Sequence, residues 1–212
     1  VVERHGATHP VALRWMIRQL LGNAGGTFSI NKFHRDLKSQ GIAVSKDTLH
    51  AYLAHLEDAF LVRIVSLESS SERRRMVNPR KVYPVDPALI PVFDRSGRAN
   101  LGHALETCVH LELERRGASI TYVRTADGLE VDFLARYPEG PPELIQVCVD
   151  LDDPEARDRE VRALVSAGRE HPRASLHLIG LVMETVRGLP ENVALHAASS
   201  WLLADEDREK GR

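Results

Sequence analysis

The order in which apolar periodicities change along the second half of the chain constrains its fold most. The segment "NLGHALETCVHLELERRG" has apolar residues at helical spacing and a predicted stop at Gly117. Strand-like segments follow at 120–124, 129–135 and 143–150, and after them come a helix that starts near Pro154 and the apolar strand "SLHLIGLV". A helix, three strands, a helix and a strand in this order predict an α/β domain.

The first half of the chain has a different pattern, with three helices before any longer strand. The first helix is predicted at 11–21, and Ser29 and Ser45 are the predicted N-caps of the second and third helices. Strands are expected at 61–67 and 81–85, on either side of the polar and basic segment "SSSERRRMVNPR". Three short helices and a basic hairpin predict a winged helix-turn-helix, with the third helix as recognition helix and the hairpin as wing.

Charge is distributed unequally between the two halves. Residues 1–96 contain 14 Lys and Arg against 9 Asp and Glu, whereas the remaining residues contain 14 against 21. This asymmetry predicts two domains with different partners, and DNA is a candidate partner of the basic half. The candidate DNA-binding residues are Lys46, His50, Arg73, Arg74 and Arg75. The alternative is a packing role, because the outward face of the third helix has few side chains that read base edges.

Length and composition argue against several classes of protein. No apolar run reaches the roughly 18 residues that a membrane span needs, and the N-terminus lacks an apolar signal region. The two cysteines, Cys108 and Cys148, are too few for a disulfide framework and predict reduced thiols. These features predict a cytoplasmic protein with no membrane partner. The chain also lacks the sequence GxxxxGK[ST], so it has no P-loop of its own.

The strands of the second half place a carboxylate where a metal-dependent nuclease needs one. Phosphodiester hydrolysis uses hard oxygen ligands for Mg²⁺, and the metal together with a lysine activates water. Asp132 ends the sequence "EVD" in mid-strand, and Glu106 on the preceding helix offers a second carboxylate. Gln146 and Cys148 occupy the third-strand positions where such a site has a carboxylate and a lysine. Gln146 offers only an uncharged oxygen, and Cys148 is a soft ligand without positive charge.

These residues define the candidate site and its alternative. The candidate catalytic residues are Glu106, Asp132 and Gln146, and the candidate ligands for Mg²⁺ or Mn²⁺ are Glu106 and Asp132. The alternative is a structural strand face, in which Glu130 and Asp132 are hydrogen-bonded or pair with an arginine such as Arg124 or Arg159. For Cys148, a small buried core residue is the simpler expectation.

A succession of motifs runs through residues 1–203. The motifs are "VERHG", "FSINKFHRDLKSQGIAVSKDTLHAYLAHLEDAFLV", "KVYPVDPAL", "GHALETCVHLELERRG", "YVRTADGLEVDFL", "LIQVCVDL" and "REVRAL". Together they resemble the C-terminal portion of a family of prokaryotic AAA-type ATPases. In that family a P-loop ATPase domain precedes a winged helix, and a domain similar to PD-(D/E)XK nucleases follows.

The resemblance implies a winged helix-turn-helix domain at 1–95 and a PD-(D/E)XK restriction-endonuclease-like α/β domain at 96–212, with a linker near 94–100. It matches Glu106 and Asp132 to the acidic positions of the nuclease-like domain. It also implies that the chain is a C-terminal fragment whose partner is the N-terminal ATPase domain of the same full-length protein. ATP would then bind only in that absent domain, and the fragment itself would hold no cofactor beyond Mg²⁺ or Mn²⁺ at a residual acidic site.

Three functions are compatible with these expectations. The first is a binding module that gives an ATPase its contacts with DNA or a protein partner, with a degenerate and inactive nuclease-like domain. The second is a DNA nuclease that depends on Mg²⁺ or Mn²⁺ and uses Glu106 and Asp132. The third is a structural domain that assembles a homo-oligomer.

Overall fold

A computed structural model describes residues 6–93, 100–184 and 186–204. The chain divides into two compact units, Val1–Thr107 and Cys108–Arg212. The predicted domain boundary at 95/96 lies outside the described residues, as does the predicted linker apart from Asn100.

The first unit consists of short helices and one small sheet. Its elements are α1 (Pro10–Leu21), β1 (Thr27–Phe28), α2 (Ile30–Ser39), α3 (Lys46–Asp58), β2 (Val62–Leu67), α4 (Glu72–Val77), β3 (Arg80–Pro84), a 3-10 turn (Pro87–Leu89) and α5 (Ile90–Phe93). Helix α6 (Leu101–Arg115) begins in this unit and continues into the second. The three predicted helices and both predicted strands are confirmed, and β1 is an additional short strand.

Local sequence explains where the second and third helices begin. The hydroxyl of Ser29 accepts a hydrogen bond from the Lys32 N–H at 3.4 Å, and that of Ser45 accepts from the Thr48 N–H at 3.0 Å. Each serine thus satisfies one of the amide groups that a helix start leaves without an intrahelical partner. Both predicted N-caps are confirmed.

The three strands of the first unit form an antiparallel sheet in the order β1-β3-β2. The expected basic hairpin loop between β2 and β3 is instead the short helix α4. Ser71 caps this helix by accepting from the Arg74 N–H, and Glu72 in the first turn with Arg75 in the last suits the helix dipole. Sequence analysis missed the helix because six residues are too few to show a helical period.

The second unit is an α/β layer arrangement around a five-stranded sheet. Its elements after α6 are β4 (Ser119–Arg124), β5 (Glu130–Arg136), β6 (Glu143–Asp150), α7 (Pro154–Glu170), β7 (Ser175–Val182), β8 (Val193–Ala197) and α8 (Ala198–Leu203). The strand order is β4-β5-β6-β7-β8; the first two pairings are antiparallel and the last two are parallel. The predicted order of a helix, three strands, a helix and a strand is confirmed, and so is the mixed α/β class.

Side chains of β6 alternate between the two faces of this sheet. Leu144 and Cys148 join Leu164 of α7 in one buried cluster. Ile145 points to the other face and pairs in register with Phe133, whose ring contacts the ring of His110 on α6. Gln146 shares the α7 face, because side chains two residues apart lie on one side of a strand.

Helix α7 buries a different set of residues from the predicted one. Leu164 is buried as predicted, but Val161 and Val165 are only half-buried. The buried face consists of Glu160, Ala163, Leu164, Ser166 and Ala167. Small residues face the sheet because the helix packs closely on it, and a glutamate takes one of the inward positions.

No helix in the described ranges is both long enough and apolar enough to cross a lipid bilayer.

Candidate functional site

A buried polar network occupies the α7 face of the second sheet. The side-chain oxygen of Gln146 accepts a hydrogen bond from the Asp132 N–H at 3.1 Å. The side-chain amide of Gln146 donates to Oε2 of Glu160 at 2.7 Å. The carboxylate of Asp132 accepts from the Val147 N–H at 3.1 Å. One glutamine therefore connects β5, β6 and α7.

All three members of this network are removed from solvent. Asp132, Gln146 and Glu160 are 8%, 6% and 8% exposed. Arg159 closes the outer side of the network with two hydrogen bonds to Oε1 of Glu160, at 2.6 and 3.0 Å. These bonds hold the pKa of Arg159 above its ordinary value. The glutamate is thus satisfied from both sides, as a carboxylate at this depth must be.

Cys148 lies beside the network and does not replace a lysine. Its side chain is 9% exposed, and Sγ donates to the Asp150 carbonyl at 3.3 Å. Burial, with the nearby charge of Glu160, raises the pKa of Cys148. The group therefore stays a neutral thiol at neutral pH, and the prediction of a small buried residue is confirmed.

Glu106 belongs to the first unit, where it receives two buried donors. The ammonium group of Lys81 lies 3.1 Å from its Oε1, and the hydroxyl of Tyr83 donates to the same oxygen at 2.6 Å. Lys81 is 3% exposed. Gly25, at φ +71°, passes close to the carboxylate, since a Cβ there would lie 2.9 Å from Oε2. Glu106 and Asp132 each have polar partners in their own unit.

Glu130 and Asp132 both belong to the "EVD" segment, but their carboxylates have different partners. Its carboxylate forms a 3.7 Å ion pair with Arg124 on the neighbouring strand. This pairing confirms one form of the structural alternative. Arg159, the other arginine considered there, pairs with Glu160 instead.

The candidate DNA-binding residues are all exposed. They are Lys46 and His50 on α3 and Arg73, Arg74 and Arg75 on α4. Arg75 forms a 2.7 Å ion pair with Glu72. His50 also lines a groove of about 560 Å³, together with Asn31 at the start of α2 and with Asn78 and Arg80 after α4. Asp47 of α3 lines the same groove.

Sequence analysis predicted His50 of the groove but missed Glu160 and the groove residues Asn31, Asn78 and Arg80. The burial of Glu160 is predictable from the sequence. Glu160, Ala163, Leu164 and Ala167 follow the i, i+3, i+4, i+7 spacing of one helix face. A glutamate inside such a stripe indicates a buried polar partner. Asn31, Asn78 and Arg80 had no comparable signal, because they converge only through the pairing of β1 with β3.

Within residues 6–93, 100–184 and 186–204, no group of three or more His, Cys, Asp or Glu side chains is arranged to hold a metal ion.

Parts of the chain are similar to known proteins. The profile of a domain of unknown function (DUF8612) matches residues 1–97. An uncharacterised protein of Methanocaldococcus jannaschii is 32% identical over 171 residues, which are 79% of this chain and 37% of that protein. An uncharacterised protein of Haemophilus influenzae is 30% identical over 155 residues, which are 73% of this chain and 38% of that protein. The chain thus spans less than two-fifths of the length of either relative. No solved structure matches.

Because Glu160 accepts the hydrogen bond of the buried Gln146 amide, removing the Glu160 carboxylate should destabilise the folded protein. Glu160→Ala should lower the free energy of unfolding by about 2–3 kcal/mol, because the buried amide of Gln146 loses its acceptor. The measurement is urea unfolding followed by circular dichroism. Asp158→Ala, two residues earlier on the exposed face of α7, is the matched control and should change stability by less than about 0.5 kcal/mol. Equal effects of the two substitutions would show that the network contributes nothing.

The contact between Lys81 and Glu106 should stabilise the first unit in a similar way. Glu106→Ala should lower the free energy of unfolding by about 3 kcal/mol, because it removes the carboxylate beside a buried ammonium group. A double-mutant cycle with Lys81→Met should give a coupling energy above about 1 kcal/mol. Asp36→Ala on the exposed face of α2 serves as control. Additive effects of the two substitutions would contradict the assignment of Glu106 as partner of Lys81.

Proposed function

We propose that the first unit is a winged helix-turn-helix that binds duplex DNA mainly through its phosphates. Its chain order supports this: one helix, a short strand, two helices, and then two strands that complete the sheet β1-β3-β2. Helix α3 takes the position of the recognition helix. The segment between β2 and β3 takes the position of the wing.

The groove that joins α3 to the start of β3 carries this proposal. It brings His50 of the recognition helix onto the same surface as Asn78 and Arg80, next to the arginines of α4. A helix and a neighbouring basic segment on one surface can contact a duplex at two places. Asp47 in the groove repels phosphate, so phosphate contacts fall to Arg80 and the arginines of α4.

The exposed cations on α4 fit a positioning role. Arginines bind phosphate oxygens through paired N–H groups, and such contacts fix a protein on DNA without reading its sequence. Glu72 neutralises part of this charge through its ion pair with Arg75. Moderate affinity with a strong salt dependence is the expected result.

For the second unit we propose a nuclease-like fold whose catalytic position has become structural. The order of helix, three antiparallel strands, helix and parallel strand supports the fold, as does Asp132 at the acidic position on β5. The side chains do not fit a divalent metal, however. The oxygen of Gln146 accepts a backbone N–H, and its amide group directs hydrogens at Glu160. A cation beside Glu160 would face these hydrogens, and position 148 has a buried thiol where the lysine of such a site would be.

The association with an ATPase domain stays a proposal. Each of the two relatives is about twice as long as this chain, so each has room for at least one further domain. In that arrangement, the first unit would provide the DNA contacts of the ATPase. Assembly into a homo-oligomer is a further prediction.

DNA binding should depend on the α4 arginines. The triple substitution of Arg73, Arg74 and Arg75 by alanine should weaken binding to a short duplex and reduce the slope of log affinity against log salt by about 2–3. The measurement is fluorescence anisotropy of a labelled duplex over a series of salt concentrations. Glu72→Ala should act in the opposite direction and strengthen binding a few-fold, because it removes the charge that offsets Arg75.

A matched control separates a local effect from one of net charge. Arg162, Arg169 and Arg173 are three exposed arginines in the second unit, and their replacement by alanine changes net charge equally. That variant should retain most of the affinity and the salt slope. If both triple variants lose the same affinity, or if the wild-type protein does not bind DNA, the proposal is wrong.

A further inference from the structure

Two histidines on neighbouring parallel strands of the second unit contact each other directly. Nδ1 of His177 on β7 lies 2.9 Å from Nε2 of His196 on β8. The rings stack at 24°, with centroids 5.1 Å apart. The other nitrogen of His177 lies 2.8 Å from the hydroxyl of Ser175. Neither the proposed DNA surface nor the Gln146 network uses this pair.

Glu143 and Arg116 are charged groups of opposite sign that act on the pair. Glu143 on β6 acts electrostatically on both imidazoles, and its carboxylate accepts a hydrogen bond from the hydroxyl of Tyr137 at 3.2 Å. Arg116, just after α6, acts on His196 in the opposite sense. Burial lowers the pKa of His177 and of His196, despite the carboxylate. The native pair is therefore neutral at neutral pH.

The pair lies at the edge of the sheet, where β8 and α8 attach. In the described part of the chain, β8 pairs only with β7. Helix α8 is held through Trp201, on whose ring the guanidinium of Arg116 stacks at 4.0 Å. Arg116 also donates to the Trp201 carbonyl and, at 2.7 Å, to Glu112. The segment is thus held by its pairing with β7, by the histidine contact, by the contact of Arg116 with Trp201 and by the burial of Val193, Ala198 and Trp201.

We propose that the His177–His196 contact is an acid-sensitive latch that holds the β8–α8 segment on the sheet and releases it when the pair takes up protons. One proton can be shared in an N–H···N bond between the rings. A second proton removes the acceptor and places two cations in contact, with Arg116 nearby. Glu143 offsets only one of these charges. Release of β8 leaves the backbone groups of β7 open to solvent or to another strand.

The direction of the pH dependence follows from proton linkage. The folded segment binds protons more weakly than the released one, because burial lowers the pKa of both histidines in the native pair. Attachment is therefore fully stabilised above the ordinary histidine range, at about pH 6.5, and is lost as pH falls below it. Two coupled groups allow the opening constant to rise up to about 100-fold per pH unit.

Amide hydrogen exchange between pH 7.5 and 5.0, corrected for intrinsic rates, tests the latch. In the wild type, protection of β8 and α8 should fall steeply below about pH 6, while β4 and β5 stay protected. The slope of log opening constant against pH should approach two. In His196→Gln it should fall to about one, since glutamine can donate to His177 without titrating. The double variant with His177→Gln should show no slope.

His171→Gln, at the end of α7, should retain the wild-type slope. Loss of protection at β4 and β5 together with β8 would indicate global unfolding and overturn the proposal, as would an unchanged slope in the double variant. NMR titration of the wild-type imidazoles gives a second test that needs no substitution. If His177 and His196 both titrate at or above the pKa of an exposed histidine, the latch does not exist.

Discussion

The second unit depends on the side chain of Gln146, which satisfies two buried groups on different elements at once. Its oxygen accepts from the backbone of β5, and its amide donates to a glutamate on α7. A buried donor or acceptor that lacks a partner costs about 1–3 kcal/mol, so the glutamine fixes how α7 sits on the sheet. A glutamate at position 146 could not do the same. It would bring a second negative charge against Glu160 and could not donate to it.

The same physical rule explains why neither predicted metal ligand has the surroundings of an open metal site. The carboxylate of Asp132 accepts from a backbone N–H in the second unit, and that of Glu106 contacts Lys81 and Tyr83 in the first. In each case a buried charge is balanced by donors of the protein itself. Both carboxylates are thereby part of the packing of their units. Under the proposed function, the exposed arginines of α4 make the contacts with DNA.

Sequence reasoning located most helices and strands because their signals are local. Ser29 and Ser45 mark helix starts by their own side chains, and the alternation in β6 is visible in eight consecutive residues. Glu106 and Asp132 were identified by residue type and position, but their partners were not. Lys81 lies 25 residues before Glu106, and Val147 lies 15 residues after Asp132, so only the folded backbone brings each carboxylate to its partner.

The features that the sequence did not predict have physical causes of the same kind. Helix α4 is too short to show a period, and its stability comes from Ser71 and from charges placed to suit its dipole. The groove residues meet because β1 pairs with β3, a pairing of two residues that no pattern in "TF" reveals. The contact between His177 and His196 likewise depends on the register of two parallel strands. Register between distant strands is set by packing and not by local sequence.

The most direct test of the closed network is Mn²⁺ titration of the ¹⁵N-labelled protein followed by NMR line broadening. If Gln146 closes the site, the Val147 amide and the side-chain amide of Gln146 should broaden no more than other buried groups. Selective broadening of these two signals, reversed by excess Mg²⁺ and absent in Asp132→Asn, would contradict the account. It would show that the acidic positions still form a metal site.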